Sequence, residues 1–134
     1  MNPFHLQIVT PDGLCFDGEV ESLLVRTDNG DVEILRGHTD LFASLGIGRA
    51  RLIVGGATRY ASCAGGFLSV AGGEVKLVAT TFEFGEDIDL ARARAAKEGA
   101  ESLIKSATDE RALTRAKAKL MRALNRIKVA EGLK

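Results

Sequence analysis

The stretch of sequence that decides the fold is Glu86-Asp87-Ile88-Asp89-Leu90-Ala91-Arg92-Ala93. Upstream of it, short β-forming segments alternate with glycine turns, whereas downstream the apolar residues recur at helical spacing. Asp87 or Asp89 can cap the first helix, because an aspartate carboxylate accepts hydrogen bonds from the free amides of a first helical turn. A negative charge there also suits the positive end of the helix dipole. We therefore predict that a β domain ends and an α domain begins in this stretch.

The upstream part is predicted to form antiparallel strands. Residues 4–10 alternate apolar and polar side chains over most of their length, which is typical of a strand with one buried face. Asn29–Gly30 and Gly55–Gly56 are dipeptides that favour β-hairpins. Asp17–Gly18 and Gly65–Gly66 are predicted to interrupt strands. Short strands at this regular spacing indicate a β-sandwich or a barrel.

The downstream part is predicted to form two helices. The first has an alanine-rich apolar stripe made of Leu90, Ala93, Ala96, Ala100 and Leu103 or Ile104. After a break with new capping residues at 106–109, a second stripe consists of Leu113, Ala116, Leu120, Leu124, Ile127 and Ala130. Neither helix can bury its stripe alone, so an antiparallel hairpin is expected. The predicted class is α+β, with an N-terminal antiparallel β-sandwich at residues 1–86 and a C-terminal two-helix hairpin at residues 87–134.

The formal net charge of the 134 residues is zero, but the charges are unevenly distributed. Residues 1–86 contain six Lys or Arg against eleven Asp or Glu, and residues 87–108 contain four of each. Residues 109–134 contain eight Lys or Arg against three Asp or Glu. An acidic first part and a basic end suggest two different contact surfaces.

The composition also bears on the compartment. Cys15 and Cys63 lack a metal or redox spacing and are too few for a disulfide framework. We interpret both as small buried hydrophobic residues in a reduced compartment. No run approaches the roughly 18 apolar residues of a membrane span, and the first residues lack the regions of a signal peptide. The chain is predicted to meet a membrane only through another protein.

Few residues indicate catalysis or metal binding. The two histidines, His5 and His38, form no recognisable triad order with a nucleophile, and no HExxH, P-loop or cysteine-cluster motif is present. His38 is either a catalytic residue or, more simply, a corner histidine that bonds to backbone or meets a partner. The acidic residues around the helix start allow a metal site or a capped, solvated junction: Glu83, Glu86, Asp87 and Asp89. We predict no catalytic residue and no metal ligand.

The second helix has a strongly basic outer face. It consists of Arg111, Arg115, Lys117, Lys119, Arg122, Arg126 and Lys128. Such a face can bind phosphates, carboxylates or nucleic acid, or it can simply be solvated. The acidic first part of the chain and the lack of aromatic residues in this helix disfavour nucleic acid as a partner.

Several segments of the chain resemble the epsilon subunit of F-type ATP synthases. They are Leu6–Gly13, Phe16–Val20, Gly30–Asp31 with Ile34–Leu35 and Gly37–His38, Gly65–Val70, Glu86–Ala93, and Ala123–Ile127 with Val129–Glu131. The segments keep the family's order and cover nearly the whole chain. The chain departs from the family's pattern at Arg36, where a proline is usual, and at Glu33, where a glycine is usual.

The resemblance implies a ten-stranded sandwich, a helical hairpin and a non-catalytic rotor role in the central stalk, which couples proton transport to ATP synthesis. The sandwich would bind the gamma subunit and the ring of c subunits, with Asp31 and His38 in the corner that faces the ring. The helices would meet the alpha and beta catalytic subunits. When extended they would block ATP hydrolysis, through an inhibitory basic face of Arg111, Arg115, Lys119, Arg122 and Arg126. The expected location is the cytoplasmic face of the bacterial plasma membrane, reached only through the complex.

Some bacterial relatives in this family bind ATP on the folded hairpin. The corresponding positions here are Glu83, Ile88, Asp89, Arg92, Ala93, Arg122 and Arg126. Because Gly99 stands where those relatives have a basic residue, we predict weak ATP binding or none, and no required cofactor.

Two alternative functions stay open at this point. A stand-alone ATP-sensing module would compact with ATP in the absence of any partner. A nucleic-acid-binding hairpin on a β scaffold would be retained on DNA in a salt-dependent manner.

Overall fold

The structure is a computed structural model that describes residues 2–132. It contains two compact units, one ending at Phe84 and the other beginning at Gly85. The first unit is built from strands and the second from helices, so the predicted α+β class is confirmed. The boundary predicted between residues 86 and 87 falls inside the short 3-10 turn Gly85–Asp87. Independent folding of the two domains stays a prediction.

The β unit contains eight strands within the described residues. They are β1 (Phe4–Thr10), β2 (Gly13–Val20), β3 (Ser22–Thr27), β4 (Gly30–Ile34), β5 (Leu41–Ser44), β6 (Ile47–Val54), β7 (Ala57–Ala71) and β8 (Glu74–Phe84). Their order is β2-β1-β8-β7-β6-β3-β4, with β5 added to β7. The β1–β8 pair is parallel, whereas the pairs between strands adjacent in sequence are antiparallel.

The long strands β7 and β8 each take part in both layers of a sandwich. Residues 57–64 of β7 pair with β6, whereas residues 67–70 pair with β5. The change of partner occurs at Gly65 and Gly66, whose φ angles are +71° and +92°. These left-handed conformations bend the strand without ending it, so the predicted strand interruption at Gly65–Gly66 was wrong. When each part of β7 and β8 is counted separately, the sandwich has the ten segments that the resemblance implies.

The hydrophobic core of the sandwich lies between these layers. In β1, Leu6 and Ile8 are fully buried while His5 and Gln7 face outward, as the alternation predicted. The largest fully buried side chains come from both layers and are Leu6, Ile8, Val20, Leu23, Val25, Ile34, Leu52, Leu68 and Leu77. They belong to one cluster formed by residues of the β unit, so this unit has a core of its own.

The predicted strand break at Asp17–Gly18 was wrong. Both residues belong to the continuous strand β2, where Asp17 pairs with Gln7 and Gly18 pairs with Leu6. A side chain at position 18 would make only ordinary van der Waals contact, so no close approach requires a glycine there. A Cβ atom added there would lie 3.5 Å from the ring of Phe16.

The two cysteines lie in different environments. Cys63 is buried on β7 as predicted, and burial raises the pKa of its thiol from 9.0 to about 12, because the thiolate loses its hydration. Cys15 is exposed, so the prediction that it is buried was wrong. The register between β1 and β2 shifts at this point, which places Cys15 in a β-bulge.

The second unit contains two helices, α1 (Leu90–Ser106) and α2 (Glu110–Ala130). Asp89 caps α1, and its Oδ1 accepts a hydrogen bond from the Arg92 amide at 3.1 Å. Asp109 caps α2 in the same way, accepting from the Ala112 amide at 2.7 Å. Of the two predicted caps for the first helix, Asp89 takes the role and Asp87 lies in the preceding turn.

Alanines form the contact between α1 and α2. The buried residues of the two helices are Ala93, Ala100, Ala116, Ala123 and, near the end of α2, Val129. Leu103 and Leu124, which the apolar pattern assigned to the buried stripes, are 46% and 36% exposed. Small side chains at the centre let the helix axes approach closely, so the leucines move to the margins of the contact.

Candidate functional site

The start of α1 carries the residues that the resemblance assigns to nucleotide binding. Ile88 follows the 3-10 turn and is half-buried, and Asp89 already uses one oxygen to hold the Arg92 amide. Ala93 is fully buried. This alanine therefore faces the contact with α2, whereas Arg92 is exposed to solvent.

Helix geometry places Arg92, Gly99, Arg122 and Arg126 on one flank of the hairpin, here named the arginine flank. Arg92, Gly99 and Arg122 each come one residue before a buried alanine of the helix contact. Arg126 follows Arg122 by about one turn and continues the same row. When two helices run antiparallel, the residue just before a contact residue on one helix lies on the same side of the pair as the residue just before a contact residue on the other.

An ion pair marks the opposite flank. Arg94 comes one residue after Ala93, and its Nη2 atom lies 2.8 Å from Oε2 of Glu131 at the end of α2. Arg94 follows Ala93 and Glu131 follows Ala130 in the sequence. Because the helices are antiparallel, residues that follow such alanines lie on the same flank, and the two side chains meet there. The pair therefore supports the placement of Arg92 and Gly99 on the other side.

The basic residues of α2 form a line along the helix, here named the basic stripe. Its members are Arg111, Arg115, Lys119, Arg122 and Arg126. Spacings of three and four residues keep them on one side of the helix, whereas the same geometry turns Lys117 and Lys128 to the other side, so the seven residues predicted to share one outer face divide between two sides. Arg122 and Arg126 are half-buried, and the first three are exposed. Because like charges at these spacings repel each other, the stripe favours an anionic partner.

Three further predicted contact residues lie in the β unit. Glu83 is on β8. Asp31 is the second residue of β4, and its Oδ1 lies 3.3 Å from Nη1 of Arg26. His38 lies in the loop after β4, and its Nδ1 is 2.7 Å from the Thr39 carbonyl oxygen. Since Asp31 begins β4 and His38 follows its end, the two residues would contact a partner at separate points.

The geometry bears on the alternatives for the polar residues. The contact of His38 with a carbonyl oxygen agrees with the interpretation as a corner histidine that bonds to backbone. Asp89 serves as a helix cap. Across residues 2–132, no group of three or more His, Cys, Asp or Glu side chains is arranged to hold a metal ion.

Sequence reasoning missed a polar cluster formed by His5, Asp17 and Glu74. The alternation in β1 indicated only that His5 faces outward. Glu74 is 69 residues away in sequence and comes close through the parallel pairing of β1 with β8. No local pattern predicts such a pairing.

A β-sandwich followed by a two-helix hairpin defines a two-unit α+β protein. Residues 3–85 match the family model of the ATP synthase delta/epsilon chain, beta-sandwich domain. Residues 86–131 match the model of the ATP synthase delta/epsilon chain, long alpha-helix domain. The chain therefore belongs to the ATP synthase delta/epsilon chain family, which confirms the resemblance found in the sequence.

Similar proteins span nearly the same length. The ATP synthase epsilon chain of Bacillus velezensis is 42% identical over 130 residues, which cover 97% of this chain and 98% of the relative. The ATP synthase epsilon chain of Caldicellulosiruptor saccharolyticus is 36% identical over 131 residues, covering 98% and 96%.

Two solved structures share the fold. A chain of the Euglena gracilis mitochondrial ATP synthase, OSCP/F1/c-ring, has a TM-score of 0.79 at 23% identity, covering 92% of this chain and 78% of that one. A chain of the Tetrahymena thermophila mitochondrial ATP synthase central stalk/c-ring has a TM-score of 0.65 at 15% identity, covering 94% and 95%. In the described residues, neither helix combines the length and apolar character needed to cross a bilayer.

Proposed function

We propose that this chain is the non-catalytic epsilon subunit in the central stalk of an F-type ATP synthase. The observation that carries the proposal is the match of both units, in order, to the delta/epsilon family over residues 3–131. The β-sandwich binds the gamma subunit and the c-ring, and the hairpin reaches the alpha and beta catalytic subunits. The subunit lies at the cytoplasmic face of the bacterial plasma membrane, where it couples proton transport to ATP synthesis.

The hairpin regulates ATP hydrolysis by changing its arrangement. Its contact is lined by alanines, which bury little apolar area, and its Arg94–Glu131 ion pair is partly exposed and therefore weak. The folded and extended arrangements can then differ by only a few kcal/mol, and a partner that binds one of them shifts the population. The extended arrangement brings the basic stripe to acidic segments of the catalytic subunits and blocks hydrolysis.

Reconstitution tests this proposal directly. The chain is added to a bacterial F1 complex that contains gamma but has been stripped of epsilon, and both co-migration and ATP hydrolysis are measured. We expect stoichiometric binding and a fall in hydrolysis. Failure to bind gamma-containing F1 at micromolar concentration would overturn the proposal, and salt-dependent retention on DNA would favour the nucleic-acid alternative.

Neutralising the basic stripe is expected to relieve inhibition. Replacement of Arg111, Arg115, Lys119, Arg122 and Arg126 by glutamine removes five exposed or half-buried charges. At about 0.5 kcal/mol for each of the five charge pairs, the inhibitory contact weakens by about 70-fold. The measurement is the concentration of chain that gives half-maximal inhibition of epsilon-free F1, at low and at high salt.

A matched control neutralises two lysines of α2 that do not belong to the basic stripe. Lys117→Gln and Lys128→Gln remove positive charge from the same helix on its other side, and they should change half-maximal inhibition much less. Equal effects per charge would show that net charge, and not the stripe, carries the inhibition.

ATP binding on the arginine flank is a separate proposal, in which ATP acts as a regulatory ligand that stabilises the folded hairpin. The phosphates would meet Arg92, Arg122 and Arg126, whose guanidinium groups suit bidentate phosphate contacts. Gly99 lies on the same flank and supplies no cation. We therefore expect this chain to bind ATP weakly or not at all.

The substitution Gly99→Arg is expected to strengthen ATP binding. A Cβ atom at Gly99 meets nothing within 4 Å, so the helix accepts a side chain there. One charge-assisted contact to a phosphate gives about tenfold tighter binding or more, measured by isothermal titration with the full chain.

Two further variants separate charge from helix stability. Gly99→Gln and Gly99→Ala should each stabilise α1 by about 1 kcal/mol, because glycine is a poor helix former. Neither adds a cation, so neither should match the gain in affinity. Equal affinities for Gly99→Gln and Gly99→Arg would contradict the proposed phosphate contact.

A further inference from the structure

The side chain of His5 bridges the two strands that flank β1. Its Nε2 lies 2.5 Å from Oδ1 of Asp17 on β2, and its Nδ1 lies 2.8 Å from Oε2 of Glu74 on β8. β2 is the edge strand of the sheet order, and β1 lies between β2 and β8. The imidazole therefore links three adjacent strands on the outer face of the sandwich.

Only the protonated imidazole makes both contacts as hydrogen bonds. An imidazolium has two N–H donors, a neutral imidazole has one, and a carboxylate only accepts. When His5 is neutral, the lone pair of one ring nitrogen faces a carboxylate oxygen and that bond is lost. The hydrogen bonds to Asp17 and then to Glu74 raise the pKa of His5 above its ordinary value of 6.5.

Two other charged groups lie on the strands next to His5. Glu19 on β2 is the direct cross-strand partner of His5, and its carboxylate favours a protonated imidazole. Lys76 on β8, in register with Gln7, acts in the opposite direction. Within β1, Gln7 on the same outer face is uncharged.

We propose that His5, Asp17 and Glu74 form a proton-controlled clasp, which holds the edge strand β2 to β1 and β8 at low pH and releases it as the pH rises. The side chains are 41%, 43% and 70% exposed, so protons from bulk solvent reach them. Release loosens the outermost strand of its layer and frees backbone groups for other contacts. The clasp uses none of the residues assigned to nucleotide, rotor or catalytic-subunit contacts, and it does not depend on the proposed function.

The sign of the pH dependence follows from the raised pKa of His5. A group whose folded pKa lies above its unfolded value contributes its full stabilisation below the unfolded value, here 6.5. The stabilisation disappears as the pH rises through the folded pKa. The clasp is therefore closed in mildly acidic solution and opens on the alkaline side.

Histidine NMR on the full chain tests the clasp. The His5 ring resonances are titrated in the native chain, in Asp17→Asn, in Glu74→Gln and in Glu19→Gln, together with a synthetic peptide of residues 3–9. The native midpoint should exceed that of the peptide, and the first two substitutions should each lower it. Glu19→Gln removes an equal charge without touching either bond, so its effect should be smaller.

Two results of this titration would overturn the clasp. One is a native His5 midpoint at or below that of the peptide. The other is an equal fall in Glu19→Gln and Asp17→Asn, which would show a general negative potential without specific bonds.

Amide exchange tests whether the clasp controls the strand. After correction for intrinsic exchange rates, protection of the β2 amides should fall by about two- to fivefold as the pH passes the His5 midpoint. The other edge strand, β4, serves as the internal reference. In Asp17→Asn the fall should vanish. Unchanged β2 protection across the midpoint in the native chain would overturn the proposal even if His5 titrates as expected.

Discussion

Replacing Gly66 by alanine is expected to destabilise the sandwich by about 3 kcal/mol or more. Gly66 has a φ angle of +92°, which strains any residue with a Cβ atom. An alanine Cβ would also overlap the carbonyl oxygen of Val78 on the neighbouring strand. At this kink the other partner of β7 changes from β6 to β5, while its pairing with β8 continues. Such a loss is a large fraction of the stability of a small domain.

The measurement is urea unfolding followed by circular dichroism and by fluorescence of Tyr60, the only tyrosine in a chain without tryptophan. Gly55→Ala is the matched control, because its φ angle is also positive, at +57°, but a Cβ there meets nothing within 4 Å. It should cost about 1 kcal/mol. Equal losses for the two variants would show that the backbone angle alone, and not the contact with Val78, makes the glycine necessary.

Deleting residues 88–134 is expected to leave a folded sandwich that still binds gamma but no longer inhibits ATP hydrolysis. The main hydrophobic cluster lies entirely within residues 4–84, so the β unit keeps its core. The basic stripe and the arginine flank are removed together. Hydrolysis by epsilon-free F1 should therefore stay at its uninhibited rate when the truncated chain is bound.

Two measurements separate the possible failures of this prediction. Thermal unfolding of residues 1–87 should remain cooperative, and co-migration with gamma-containing F1 should match that of the full chain. A truncated chain that does not fold would mean that the two halves share one core. A folded, bound chain that still inhibits hydrolysis would show that the hairpin is not the inhibitory element.

Much of the architecture was predictable because it depends on local signals. The helix start at Asp89, the second cap at Asp109 and the alternation in β1 follow from a few adjacent residues each. The side of a helix on which each basic residue lies was also predictable, since helix geometry converts sequence spacing directly into a side of the helix. The interruption expected at Asp17–Gly18 failed because strand pairing outweighed the turn preference of the dipeptide.

The sequence by itself determined where strands give way to helices, where each helix is capped and which family the chain resembles. The tertiary structure decided that β7 bends and crosses between layers at Gly65–Gly66, and that the alanines rather than the leucines occupy the centre of the hairpin. It also brought His5 and Glu74 together across a parallel pair of strands. The physical reason is that these features depend on packing and strand pairing between residues far apart in the sequence. Local sequence preferences are similar for the correct pairing and for its alternatives, so they do not select between them.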